Sequence, residues 1–97
     1  MDPIYATVQQ ALQTTCRIDP ADLRPDSNFF ADLGIESVDF LDAVYQLDLQ
    51  FGIKIPVGRW MGEINEGRPL AGSPFVMENF VRQITALIAT KRDKSQS

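Results

Sequence analysis

The chain has 97 residues, 44% apolar and 23% charged, which suits one soluble domain with a single modest core spanning residues 1–97. No apolar run approaches the roughly 18 residues of a membrane-spanning helix, and the N-terminus lacks the basic-then-apolar pattern of a secretory signal. One cysteine, Cys16, excludes an intrachain disulfide and fits a reducing compartment, so a cytoplasmic location is expected; a monomer is expected as well.

The net charge of −4 conceals an asymmetry. Up to Pro56 acids outnumber bases nine to three, and beyond it bases outnumber acids six to four. An acidic front half repels phosphates, which argues against nucleic acid and favours a basic protein surface as partner. Histidine is absent from the sequence, which removes Ser-His and Cys-His nucleophile pairs and histidine metal sites. No Gly-rich phosphate loop occurs. Asp39 and Asp42 form the one carboxylate pair worth weighing for acid–base work. On the first turns of an exposed helix they lack the desolvating pocket that such work needs. No catalytic or metal-ligating residue is therefore expected, and the chain does not read as an enzyme.

Pro3 suits a first helical turn with Asp2 as its N-cap, and Ile4, Val8, Ala11, Leu12 and Thr15 then line one face of a helix ending near Cys16. Gln9, Gln10 and Gln13 fall on its solvated side, and Cys16 reads as helix-end packing rather than a reactive thiol. Residues 17–36 carry Asp19-Pro20, Pro25-Asp26 and Ser27-Asn28, all turn signals, and predict a long loop. A loop of that length in a small domain must be pinned by side chains. Ile18, Leu23, Phe29, Phe30, Leu33 and Ile35 are the candidates.

The second helix is predicted from Ser37 to Gly52, with Asp39 and Asp42 in opening turns where carboxylates are favoured. Phe40, Val44, Leu47 and Phe51 recur at helical period and define its core side. Leu41, Tyr45 and Leu49 form a second apolar strip leading from the core edge onto the solvated side. That strip either packs against the long loop and the segment after Pro56, or docks partner proteins beside steering charges. Past Pro56 a short helix carrying Trp60, Met61 and Ile64 is expected, broken by Gly67, Pro69 and Gly72. Ser73-Pro74 predicts the start of a last helix whose apolar face is Val76, Phe80, Ile84, Leu87 and Ile88. Lys91 to Lys94 suit its C-terminal dipole, and Ser95 to Ser97 are expected to fray.

Leu33-Gly34-Ile35-Glu36-Ser37-Val38-Asp39-Phe40-Leu41, followed by Phe51-Gly52-Ile53-Lys54-Ile55-Pro56, resembles the attachment site of acyl carrier proteins. The match is good over about the first sixty residues and looser beyond. The resemblance implies an all-α, acyl-carrier-like four-helix bundle of three longer helices and one short one. It also implies a long first loop, with an extended segment before the last helix. It implies 4′-phosphopantetheine, taken from coenzyme A and attached to Ser37, where the arm holds acyl chains as thioesters. Alone, a serine at this position reads as an N-cap. A phosphodiester on Ser37 would lie at the positive end of the helix dipole.

The implied partners are a phosphopantetheinyl transferase, fatty acid synthesis enzymes and an acyltransferase. In the family the second helix is the recognition surface, so the resemblance favours docking through Glu36, Val38, Asp39, Leu41, Asp42, Tyr45, Asp48 and Leu49. Val38 and Glu36 stand where leucine and aspartate are common, and Leu49 and Gln50 stand where many members carry acids. The segment around Trp60 and Asn65-Glu66-Gly67 is similar to that of specialised carriers delivering very long acyl chains to lipid A in some alpha-proteobacteria. An acyl pocket lined by Phe40, Val44, Leu47, Trp60, Ile64 and Phe80 is one reading of the core; the other is that these side chains simply fill it. Two alternatives stand beside this reading: a polyketide or peptidyl carrier, and an unmodified helical interaction module.

Overall fold

The computed structural model describes residues 3–19, 21–65 and 73–95, with side chains through 62 in the middle segment and through 91 in the last. Four α-helices follow one another: α1 Pro3–Cys16, α2 Ser37–Phe51, α3 Val57–Asn65 and α4 Met77–Ser95. Three are long and one is short, and no strand occurs among the described residues beyond an isolated bridge between Asn28 and Val76. The expected N-cap at Asp2, the breakers from Gly67 to Gly72 and the fraying of Gln96 and Ser97 lie outside the described residues. Ser95 closes α4. No described helix is long and apolar enough to cross a membrane.

α1 packs against α2 and α4 through Val8 and Leu12, which are fully buried. α2 turns Phe40, Ala43, Val44 and Leu47 inward, and Phe51 is half-buried at its end. Gly52 terminates α2 in the left-handed region, at φ 64° and ψ 39°, and its N–H donates to the Asp48 carbonyl. Glycine takes this conformation without the Cβ penalty, and a Cβ here would also meet Lys91 Nζ.

The long loop from Arg17 to Glu36 is pinned as its apolar residues predict: Leu23, Phe29 and Ile35 are buried, while Ile18, Phe30 and Leu33 pack partly against the core. Side chains supply the turns. Ser27, the one buried polar side chain among the described residues, accepts from the Arg24 N–H and donates to the Asp22 carbonyl. Asn28 Oδ1 accepts from the N–H groups of Phe30 and Ala31.

The last helix begins at Met77, three residues after the Ser73-Pro74 start that the sequence suggests. The backbone around its entry is committed elsewhere. Phe29 N–H donates to the Phe75 carbonyl, Met77 N–H to the Ser27 carbonyl and Glu78 N–H to the Pro25 carbonyl, at 2.9, 3.0 and 2.8 Å. Ser73 instead makes a turn, its Oγ accepting from Phe75 N–H. This short ladder ties the loop to α4 and delivers Phe75 into the core, where it is 1% exposed.

Six aromatic rings fill the core at this end. Phe29, Phe30, Phe40, Phe75, Phe80 and Trp60 stand at centroid separations of 5.2 to 6.4 Å, mostly edge-on or tilted. Among the described side chains of α3, Trp60 alone is buried, and it meets Phe75 and Phe80 edge to face.

Candidate functional site

Ser37 is the first residue of α2, and it is exposed. The N-cap is Glu36, in an extended conformation and making no side-chain capping bond, so Ser37 is not the helix cap. Two anchors fix the position. Two residues before the serine, Ile35 is buried and donates its N–H to the Phe29 carbonyl at 3.0 Å. Three residues after it, Phe40 is fully buried and donates the first helical hydrogen bond to the Glu36 carbonyl. Gly34 turns the chain ahead of Ile35 at φ 64°, with open space where a Cβ would sit.

The amides of Ser37, Val38 and Asp39 precede that first helical bond, which leaves this end of the helix a positive pole. The Ser37 hydroxyl has no protein partner among the described residues. An exposed, uncommitted hydroxyl beside unpaired amides suits a phosphodiester: the oxygen can bear the linkage without breaking an internal bond, and the helix end favours its negative charge.

An open cleft of about 830 Å³ lies between this site and the loop. Six carboxylates, of Asp19, Asp22, Asp26, Asp32, Glu36 and Asp39, line it against Arg17 and Arg24. Cys16 lies on its wall. Burial first, then the charges of Asp39 and Asp42, push its thiol up to about 11, which keeps it protonated and poorly nucleophilic near neutrality.

The predicted docking residues divide into two groups. Val38, Leu41, Tyr45 and Leu49 stand 66, 42, 58 and 63% exposed in one strip along α2, so they do not complete the core. Glu36, Asp39 and Asp42 are exposed as well. Asp48 is half-buried, and its carboxylate accepts the Ile55 N–H at 2.9 Å, so it braces the turn after α2. Of the predicted acyl-pocket residues, Phe40, Leu47 and Phe80 are fully buried, Val44 and Trp60 nearly so, and the side chain of Ile64 lies outside the described residues. They meet as a closed core. Phe75, absent from the sequence reading, joins them; its one signal is an aromatic directly after Ser73-Pro74.

The phosphopantetheine attachment site family matches residues 6–62, more than half of the chain and including all of α2. The chain belongs to that family of acyl carriers. The carrier is similar to the acyl carrier protein AcpXL of Mesorhizobium japonicum, at 40% identity over 94% of this chain and 98% of that protein. It is likewise 41% identical to the AcpXL of Rhizobium etli, over 94% of this chain and 99% of the relative. An acyl carrier protein of Treponema denticola is 39% identical over 58% of this chain and 72% of its own length. That match is shorter than those to the two AcpXL proteins. The carrier thus has the acyl-carrier role and a 4′-phosphopantetheine prosthetic group, as the resemblance implies.

Proposed function

We propose that the carrier is modified on the Ser37 hydroxyl and holds very long acyl chains for specialised fatty acid or lipid A synthesis. The observation that carries the site is the exposed, unpartnered hydroxyl at the first position of α2, held between buried Ile35 and Phe40. When bound, phosphopantetheine supplies a thiol that forms an acyl thioester activated for transfer. The chain's own residues then orient and present. Ile35 and Phe40 hold the tether point, the helix amides favour the phosphate charge, and the strip of Val38, Leu41, Tyr45 and Leu49 offers apolar contact to visiting enzymes.

Membership of the acyl carrier family supports a carrier that does not catalyse. Its partners on this reading are a phosphopantetheinyl transferase, fatty acid synthesis enzymes and an acyltransferase, met in the cytoplasm by a monomer of one domain. The very-long-chain assignment is supported by the likeness around Trp60 and by AcpXL relatives of nearly the same length. Because the core side chains are packed together, an acyl chain entering beside Trp60 would part it from Phe75 and Phe80.

The test is intact mass after co-expression with a phosphopantetheinyl transferase. Addition of one phosphopantetheinyl group to the natural chain, and none to Ser37→Ala, is expected. An unmodified protein that is properly folded would leave only the interaction-module reading. Loading by an aminoacyl or polyketide system in preference to fatty acyl groups would make it a peptidyl or polyketide carrier.

A further inference from the structure

A second site lies at the opposite end of the bundle. A groove of about 410 Å³ opens where the first turns of α1, the end of α2 and the late turns of α4 converge. Its floor is apolar: Ile4, Phe51 and Ile88, each half-buried and each from a different helix. Its rim is polar, formed by Thr7, Gln50 and Lys91. Lys91 is exposed, its ammonium lies over Gly52, and no carboxylate pairs with it among the described residues. The Thr7 hydroxyl donates to the Pro3 carbonyl at 2.8 Å and keeps its acceptor capacity.

Charge and size together select a ligand. The chain is acidic overall, yet the charged side chain that lines this groove is a cation, Lys91. An apolar trough with a cation at its lip is complementary to a hydrocarbon chain ending in an anion. A volume of about 410 Å³ falls low in the roughly 300–1,000 Å³ range of small-molecule sites. That is room for a single short hydrocarbon chain.

We propose that this groove binds a free single-chain fatty carboxylate, its tail over Ile4, Phe51 and Ile88 and its head at Lys91. The groove stands away from Ser37 by most of the length of α2, about 21 Å at the rise of an α-helix. Binding therefore does not use the prosthetic arm and does not rest on modification of Ser37.

The experiment uses the full chain carrying Ser37→Ala, titrated with decanoate below its micelle concentration and followed by amide NMR. Saturable shifts at Thr7, Gln50, Phe51, Ile88 and Lys91 are expected, with Val38 to Asp42 unmoved. Lys91→Gln, a surface change, should weaken decanoate binding about fivefold, while uncharged decanol should bind both proteins equally. Shifts centred on Trp60 and Phe80, equal decanoate affinity in Lys91→Gln, no saturation, or a response to phosphatidylglycerol vesicles without one to decanoate would each overturn the site. None of these outcomes touches the carrier reading, which stands or falls on the mass at Ser37.

Discussion

At the scale of single residues, the proposed role of Ser37 separates function from stability. Its hydroxyl bonds to nothing within the described protein, so Ser37→Ala is expected to abolish modification while shifting unfolding free energy by less than about 0.5 kcal/mol. Matched urea curves of the two unmodified proteins check this. That α2 opens at Ser37 was legible; which residue caps it was not. A serine before an acidic, apolar-periodic run reads as an N-cap, but Ile35, anchored to the Phe29 carbonyl, brings the chain in extended and leaves Glu36 at the cap. Cys16 behaves as the sequence suggests, as packing. Its folded thiol pKa of about 11 lies above the ordinary 9.0, so the folded state holds this proton more tightly than the unfolded chain. Its contribution to stability is present below about pH 9 and lost as pH rises from there towards 11. Cys16→Ala should flatten that alkaline decline in thermal melts, and alkylation of the native thiol should stay slow at pH 8.

At the scale of elements, α2 shows both the reach and the limit of periodicity. Spacing alone separates Phe40, Val44 and Leu47 from Leu41, Tyr45 and Leu49, and the structure buries the first set and exposes the second. Spacing does not reveal what a carboxylate does once the helix ends. Asp48 reads as one more docking acid, yet its carboxylate accepts the Ile55 N–H and its carbonyl accepts those of Gly52 and Ile53. Asp48→Ala should destabilise by about 1–2 kcal/mol and Asp48→Asn by less, since the amide keeps an oxygen in place; urea midpoints decide. With Asp48 turned to the fold, the proposed docking face depends mainly on apolar contact. Leu49→Glu should reduce the transferase kcat/KM about tenfold, equivalent to losing one buried apolar contact, with little change in melting temperature. The start of α4 was misplaced for a related reason. Ser-Pro is a fair helix opening, but the backbone from Phe75 to Glu78 is already pairing with the loop.

At the scale of the whole molecule, the all-α architecture follows from helical periodicity and the few buried anchors of a long loop. The aromatic cluster follows less well. Phe29 and Phe80 were assigned inward, but Phe75 sits between turn signals with no period around it, and only the ladder to the loop explains its burial. Phe80→Ala, removing the ring that meets Phe29, Phe40 and Trp60, should destabilise by about 3–5 kcal/mol, a large share of the 5–15 typical of a domain. The same closed packing makes Trp60 a reporter. If acyl chains enter by parting Trp60 from Phe75 and Phe80, its emission should shift on acylation and move further with chain length. Each added methylene that finds cover should contribute up to about 0.8 kcal/mol to stability, and melting temperatures that stop rising beyond medium chains would mean the longer tails remain outside.

The ladder between Ser27–Phe29 and Phe75–Met77 also bears on when the protein becomes usable during its own synthesis. The segment presenting the serine leans on Phe29, and Phe29 leans on a strip of backbone translated much later. A nascent chain stalled ahead of Phe75 would have Ser37, the proposed attachment residue, already made but not yet displayed. Modification should therefore wait for the C-terminal helix to emerge, and a chain arrested ahead of Phe75 should remain a poor substrate for the transferase.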